Sequence, residues 1–131
     1  MSVYRAFAFL LGLFFLVACD SKNEDKKLSM NQAAVIEVVT YQTKVGIKDA
    51  EHLKKASAIT PILAKFDGFI TRQFGKSTNG KWVELVYWKD LSAAQKAADA
   101  ALTIPECQAF FADIDQQKMD FMHSVVQHQY P

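Results

Sequence analysis

The stretch from Gly68 to Trp88 constrains the fold most, because it reads as a β-hairpin that is apolar on both sides. Asn79-Gly80 separates two runs rich in β-branched and aromatic residues. Such a pair is the strongest short signal for a two-residue type I′ turn, whose central residues both need positive φ. With that loop, Thr78 faces Lys81, and the expected pairs are Gly75 with Glu84, Phe74 with Leu85, Arg72 with Tyr87 and Thr71 with Trp88. Side chains alternate across a strand. One face is therefore expected to carry Ile70, Arg72, Phe74, Val83, Leu85 and Tyr87, and the other Phe69, Thr71, Gln73, Trp82, Glu84, Val86 and Trp88. A sheet apolar on both faces needs cover on both.

The flanking segments supply one cover. Residues 33–43 alternate, with Val35, Glu37, Val39 and Tyr41 on one side and Ile36, Val38 and Thr40 on the other, so they read as a strand. Residues 47–64 read as a helix whose inward stripe is Ala50, Leu53, Ala56, Thr60 and Leu63. Pro61 inside it is expected to kink the helix or begin a new turn. Asp90 suits the N-cap of an alanine-rich helix over 91–102, with Leu91, Ala94, Ala98 and Ala101 inward. Pro105 opens a further helix to about residue 115 that buries Cys107, Phe110, Phe111 and Ile114. Residues 118–129 alternate again, with Met119, Phe121, His123 and Val125 together. The order β-α-β-β-α-β is the ferredoxin-like α+β arrangement, an antiparallel four-stranded sheet with helices on one face. A second copy related by a twofold axis is the simplest cover for the other face, which makes the expected assembly a homodimeric α/β barrel.

The first part of the 131-residue chain has a different character. Arg5 precedes an apolar run, residues 6–18, too short to span a membrane comfortably and suited to a signal-peptide core. It ends in Leu16-Val17-Ala18-Cys19, which resembles the lipobox of bacterial lipoproteins, where cleavage precedes the cysteine and the cysteine is acylated, for example with palmitate. The expected division is a signal peptide over 1–18, lipidated Cys19 with a polar tether over 19–32, and one domain over 33–131. Each buried methylene of such an anchor adds ~0.8 kcal/mol of membrane affinity. Asp20 resembles an inner-membrane retention signal, so the domain is expected on the periplasmic side of that membrane. Without Arg5 the chain has 14 basic and 14 acidic residues, and no basic run interleaves with aromatics, which argues against a nucleic-acid partner. Cys107 is the only cysteine left, so no intrachain disulfide is expected, and it reads as a small buried hydrophobe.

Residues 33–130 resemble the antibiotic biosynthesis monooxygenase-like superfamily of dimeric α/β barrels. The carrying features are Val35-Ile36-Glu37, Gly68-Phe69-Ile70-Thr71-Arg72, the run from Gly80 to Trp88, Ala93 to Ala98, Ile114-Asp115 and Met122-His123. The resemblance implies a cofactor-independent oxygenase that uses no metal and acts on an aromatic or quinol-like small molecule. In such chemistry a base takes the phenolic proton and the electron-rich carbanion reduces dioxygen directly. It needs a base, hydrogen-bond donors and a dry aromatic wall. The candidates are His123, Glu37 and Glu84 as catalytic groups and Trp88, Tyr87 and Arg72 as ligand-binding groups. Alternation sets Arg72 and Tyr87 on the opposite face of the hairpin, leaving Glu37, Glu84, Trp88 and His123 to converge. Against catalysis stands a polar network in which two carboxylates and a histidine satisfy one another, or a non-catalytic ligand-binding or interaction module of the cell envelope. The haem-degrading subgroup carries its axial histidine on the helix after the third strand, but residues 89–122 contain none. His52, His123 and His128 lack metal-ligand spacing, and His52 is expected to be a solvated helix residue.

Overall fold

The alternating run forms the first strand, β1 (Val35–Tyr41), followed by α1 (Asp49–Leu63), β2 (Phe69–Lys76), β3 (Trp82–Trp88), α2 (Leu91–Ala101), α3 (Pro105–Phe111) and β4 (Asp120–Val125). The computed structural model describes residues 29–130. The signal segment, Cys19 and Asp20 lie outside the described residues. So does most of the tether, of which Met30–Gln32 forms a single 3-10 turn. The four strands make one antiparallel sheet in the order β2-β3-β1-β4. This is the ferredoxin-like α+β fold, with the helices on the face that carries Val35, Glu37, Val39 and Tyr41. Asp90 caps α2 by accepting the Ala93 N–H at 2.8 Å, and Pro105 stands in the first turn of α3, where no intrahelical donor is needed.

The hairpin register departs from the sequence expectation. Gly80 N–H donates to Ser77 C=O (2.9 Å) and Ser77 N–H to Lys81 C=O (2.8 Å), so the loop is Thr78-Asn79-Gly80, three residues rather than two. Gly80 has φ +86°, and no non-glycine among the described residues has positive φ, so Asn79 is not left-handed and the turn is not type I′. A three-residue loop that ends in a left-handed glycine is the next most common hairpin connection. It shifts the pairing by one residue: Arg72 faces Val86, Phe74 faces Glu84 and Lys76 faces Trp82. A one-residue slip turns every β2 side chain over. Arg72 and Phe74 therefore join Glu84 on the helix side, while Thr71 and Gln73 pass to the open side. A bulge between Phe69 and Thr71 keeps Phe69 opposite Trp88.

The helices also differ in phase. On α1 the buried residues are His52, Ala56, Ile59 and Leu63, whereas Ala50 and Leu53 are exposed. Ala56 and Leu63 face inward as expected, but His52 and Ile59 replace Leu53 and Thr60, each one position earlier, and hydropathy places a histidine outside. His52 is wholly buried, contrary to the expected solvated position. Its Nε2 lies 2.7 Å from the Tyr41 hydroxyl and its Nδ1 3.1 Å from Asp113, whose other oxygen accepts from Lys55 Nζ at 2.6 Å. Burial raises the Asp113 carboxyl, but the Lys55 and His52 hydrogen bonds outweigh it and hold the group below its ordinary value. α1 continues past Pro61, which falls in its last turn. On α2 the buried residues are Ala93, Ala94, Ala97 and Ala101, and Leu91 is exposed. α3 stops at Phe111, because Ile114 pairs with Thr43 in a bridge beyond the end of β1.

Two glycines separate the backbone requirement from the packing requirement. Gly68 and Gly80 both have positive φ, but a Cβ at Gly68 would stand 2.7 Å from Ala93 Cβ, while one at Gly80 meets nothing within 4 Å. Gly80→Ala is expected to cost about 1 kcal/mol from the left-handed conformation alone. Gly68→Ala adds overpacking and is expected to cost roughly 2–4 kcal/mol. Urea unfolding of the two variants measures the difference.

Candidate active site

Between the sheet and the α2–α3 layer lies a cavity of about 280 Å³. The sheet side presents Glu37, Val39 and Glu84, and the helix side presents Ala97, Ala101, Cys107 and Phe110. The space exists because α2 turns alanines toward strands whose facing side chains are short or polar. Two of the three sequence-nominated catalytic residues, Glu37 and Glu84, thus stand in one cavity wall. They are diagonal neighbours, since Val39 faces Glu84 and Glu37 faces Val86.

Their surroundings differ. Glu84 accepts from Arg72 Nε at 2.6 Å, with the two side chains 8% and 2% exposed. Arg72 continues behind Glu84 to α1, where Nη1 donates to the Ala56 carbonyl and to Thr60 Oγ1 (2.8 Å). Glu84 is therefore a fixed carboxylate. Arg72 does not line the cavity; it positions Glu84, contrary to its expected place on the opposite face. Glu37 has no lysine or arginine partner among the described residues. Burial pushes its carboxyl up, the Glu84 charge adds to this, and Arg72 offsets part of it, giving a value of about 7. Its Oε2 lies 3.1 Å from His123 Nε2. Above that pH Glu37 is a carboxylate; below it Glu37 is a carboxylic acid.

His123 shares the helix-side face through the pairing of Glu37 with His123, but it stands one strand outward, partly buried, and does not itself line the cavity. It reaches the cavity through Glu37. Trp88 is buried beneath α2 against Val35, Val86, Ala93 and Ala94 and is core rather than wall. Tyr87 lies on the opposite sheet face, away from the cavity. The aromatic wall is instead Phe110, Phe111 and Phe121, none of which the sequence analysis nominated for the site. Their positions on α3 and β4 were legible, but the void beside them was not. Cys107 reaches the cavity too, with burial and the Glu106 charge raising its thiol, so it behaves as a small hydrophobe.

This geometry can be set beside known proteins. No family model matches the chain, and no curated protein matches it in sequence. Solved structures do match in shape. SnoaB, a cofactor-independent oxygenase from Streptomyces nogalater, aligns with TM-score 0.62 at 16% identity over 74% of this chain and 96% of its own. A monooxygenase from the gene ActVA-Orf6 of Streptomyces coelicolor, in complex with nanaomycin D, aligns with TM-score 0.54 at 14% identity, over 77% and 94%. A Bordetella bronchiseptica protein assigned to the antibiotic biosynthesis monooxygenases aligns with TM-score 0.58 at 11% identity, over 70% and 95%. The chain shares the ferredoxin-like α+β fold of these structures. At these identities the likeness is one of fold, and within that fold this chain's own residues supply a carboxyl poised near neutrality.

The raised Glu37 value makes stability depend on pH with a definite sign. The folded state holds the proton up to about pH 7, whereas the unfolded chain releases it near 4.5. Glu37 therefore stabilises the fold fully below the unfolded value, and that contribution is lost as pH rises through 7. Its size is on the order of 3 kcal/mol. Glu37→Gln is expected to gain stability relative to wild type from pH 5 to about 7 and to level off above it, as read from urea midpoints at each pH.

Proposed function

We propose that the protein is a cofactor-independent oxygenase of a small aromatic or quinol-like molecule, with Glu37 as the general base. The observation that carries this is a buried carboxyl with a value near 7, standing in an otherwise apolar cavity. A base is most effective when its pKa lies near the working pH. Glu37 takes the proton of a bound quinol hydroxyl, and His123 passes it toward solvent. Glu84, pinned by Arg72, keeps Glu37 from ionising too early. The electron-rich anion then reduces dioxygen. In a quinol converted to a hydroxyquinone, one oxygen atom enters the ring, the other leaves as water, and the substrate supplies all four electrons. The shared fold with SnoaB and the nanaomycin D complex supports the substrate class.

Dioxygen uptake with a panel of benzene and naphthalene quinols tests the assignment. Wild type is expected to consume dioxygen at a rate that rises with pH to a plateau above about 7, following Glu37. Glu37→Gln is expected to lower kcat about 10²- to 10⁴-fold. Quinol binding without uptake would instead make the chain a non-catalytic ligand-binding module, and no binding by any quinol would end both readings.

The proposal extends to assembly and address. The open face of the sheet carries Ile36, Val38, Val83, Leu85 and Tyr87, half-buried at best, and no element of the described residues covers it. A second copy related by a twofold axis covers it with the same surface. Leu85→Asp, at the centre of that face, is expected to convert a sedimenting dimer into a monomer; a wild type that sediments as a monomer at micromolar concentration contradicts the dimer. The apolar run 6–18 and the Leu16-Val17-Ala18-Cys19 motif support export and a lipid anchor at Cys19, with Asp20 favouring the inner membrane.

A further inference from the structure

The cavity has a mouth where Leu102 and Phe121 stand beside Asp99 and Gln116. Leu102 and Phe121 line the cavity while remaining 61% and 47% exposed, so they mark where it opens. The opening runs along β4. α2 packs over β1 and β3, while on the same face of β4 Val125 is 53% exposed two positions beyond the partly buried His123. Along one side of α2, Leu91, Gln95, Ala98 and Leu102 follow at steps of four, three and four, which places them in a row. Ala98 and Leu102 of that row face the cavity. Val125 is level with Val35 and, through it, with Trp88, three residues before Leu91. Leu91 therefore lies at the Val125 end and Leu102 at the Phe121 end.

Leu102 and Phe121 at the mouth and Val125 further along β4 are thus exposed apolar side chains on one side of the sheet. From Phe121 to Val125 the strand spans four residue steps, ~13 Å. At about 280 Å³ the cavity has room for a small ring system and little more, being at the lower limit of the ~300–1,000 Å³ typical of small-molecule sites. Whatever a ligand carries beyond its ring must leave by the mouth. There it meets leucine, phenylalanine and valine, with Asp99 at the rim opposing any anionic extension.

We propose that the ligand is a tailed phenol or quinol, its ring in the cavity and its alkyl or prenyl chain lying along Leu102, Phe121 and Val125. This rests on the cavity being a phenol site, and it narrows the substrate class to amphiphiles of the kind that partition into a membrane. The tail also covers Leu102, Phe121 and Val125, which are exposed among the described residues.

Calorimetric titration of the purified full chain tests the tail separately from the ring. The ligands are hydroquinone and its 2-alkyl derivatives from methyl to octyl. Wild type, Leu102→Asp and Val125→Asp are measured in the same detergent, so that partitioning into micelles cancels. Both positions are exposed, and circular dichroism verifies folding of the variants. Wild-type affinity is expected to rise about two- to fourfold per methylene, with a clearly shallower slope in each variant. Hydroquinone binding with a flat wild-type slope, or with equal slopes in all three proteins, overturns the tail and leaves the ring site standing. Failure of every member of the series to bind wild type overturns the ring site and the tail together.

Discussion

The helix-side face of the sheet depends on the buried ion pair between Arg72 and Glu84. Neither charge has appreciable access to water, so each is tolerable only because of the other. Removing one partner of such a pair leaves an uncompensated charge and typically costs ~3–5 kcal/mol. The pair also does mechanical work: Arg72 joins β2 to β3 through Glu84 and to α1 through Ala56 and Thr60. Its guanidinium lies 5.0 Å from the Phe74 ring centroid, which packs the cation among aromatics. The electrical consequence falls on Glu37. Glu84 contributes a fixed negative charge beside it, and Arg72 offsets only part of the effect. The same pair therefore holds the layers together and sets the proton affinity of the group facing the cavity.

The element order was legible in the sequence because periodicity changes sharply between strand and helix. Strand alternation also placed Glu37, Glu84 and His123 on one face, since β1, β3 and β4 contain no register ambiguity of their own. The hairpin was different. Asn-Gly is compatible with loops of two or three residues, and the choice between them lies in backbone hydrogen bonds that composition does not carry. That one-residue difference set Arg72 on the wrong face in the sequence reading and concealed its pairing with Glu84. His52 was misplaced for a related reason. Hydropathy treats histidine as polar, but a histidine with a tyrosine on one nitrogen and an aspartate on the other is a satisfied core residue. Its partners lie 11 and 61 positions away, beyond the reach of any helical pattern.

The chain thus buries two imidazole–carboxyl contacts with opposite character. In the first, Tyr41, His52, Asp113 and Lys55 form a chain that ends on a cation, and Asp113 stays ionised. Every strong donor and acceptor in that chain is spoken for, and it lines no cavity, so it ties β1, α1 and the segment after α3 into one core. In the second, Glu37 and His123 have only each other. No cation neutralises Glu37, a carboxylate already stands nearby, and the pair opens onto unfilled space. A structural network is stable when its charges cancel; a catalytic one must leave a proton free to move. By that criterion the second contact, not the first, is built for chemistry, although the two look alike as residue lists.

The cavity itself points the same way. If about 280 Å³ were dry and empty, a penalty of ~24 cal/mol per Å³ would amount to ~7 kcal/mol, comparable with the whole stability of many domains. Filling it needs no new backbone, since one longer side chain at Ala97 or Ala98 would occupy much of the space. The alanines instead hold α2 close to the sheet at its Val35 end, where Trp88 fills the gap, and leave the other end hollow above two carboxylates. Trp88 is thus the counterpart of the cavity: it shows how the same alanine face packs when a large side chain stands opposite. The hollow arises where the strands present glutamate in place of an aromatic, and a glutamate in that position needs either water or a hydroxyl-bearing ligand to face it.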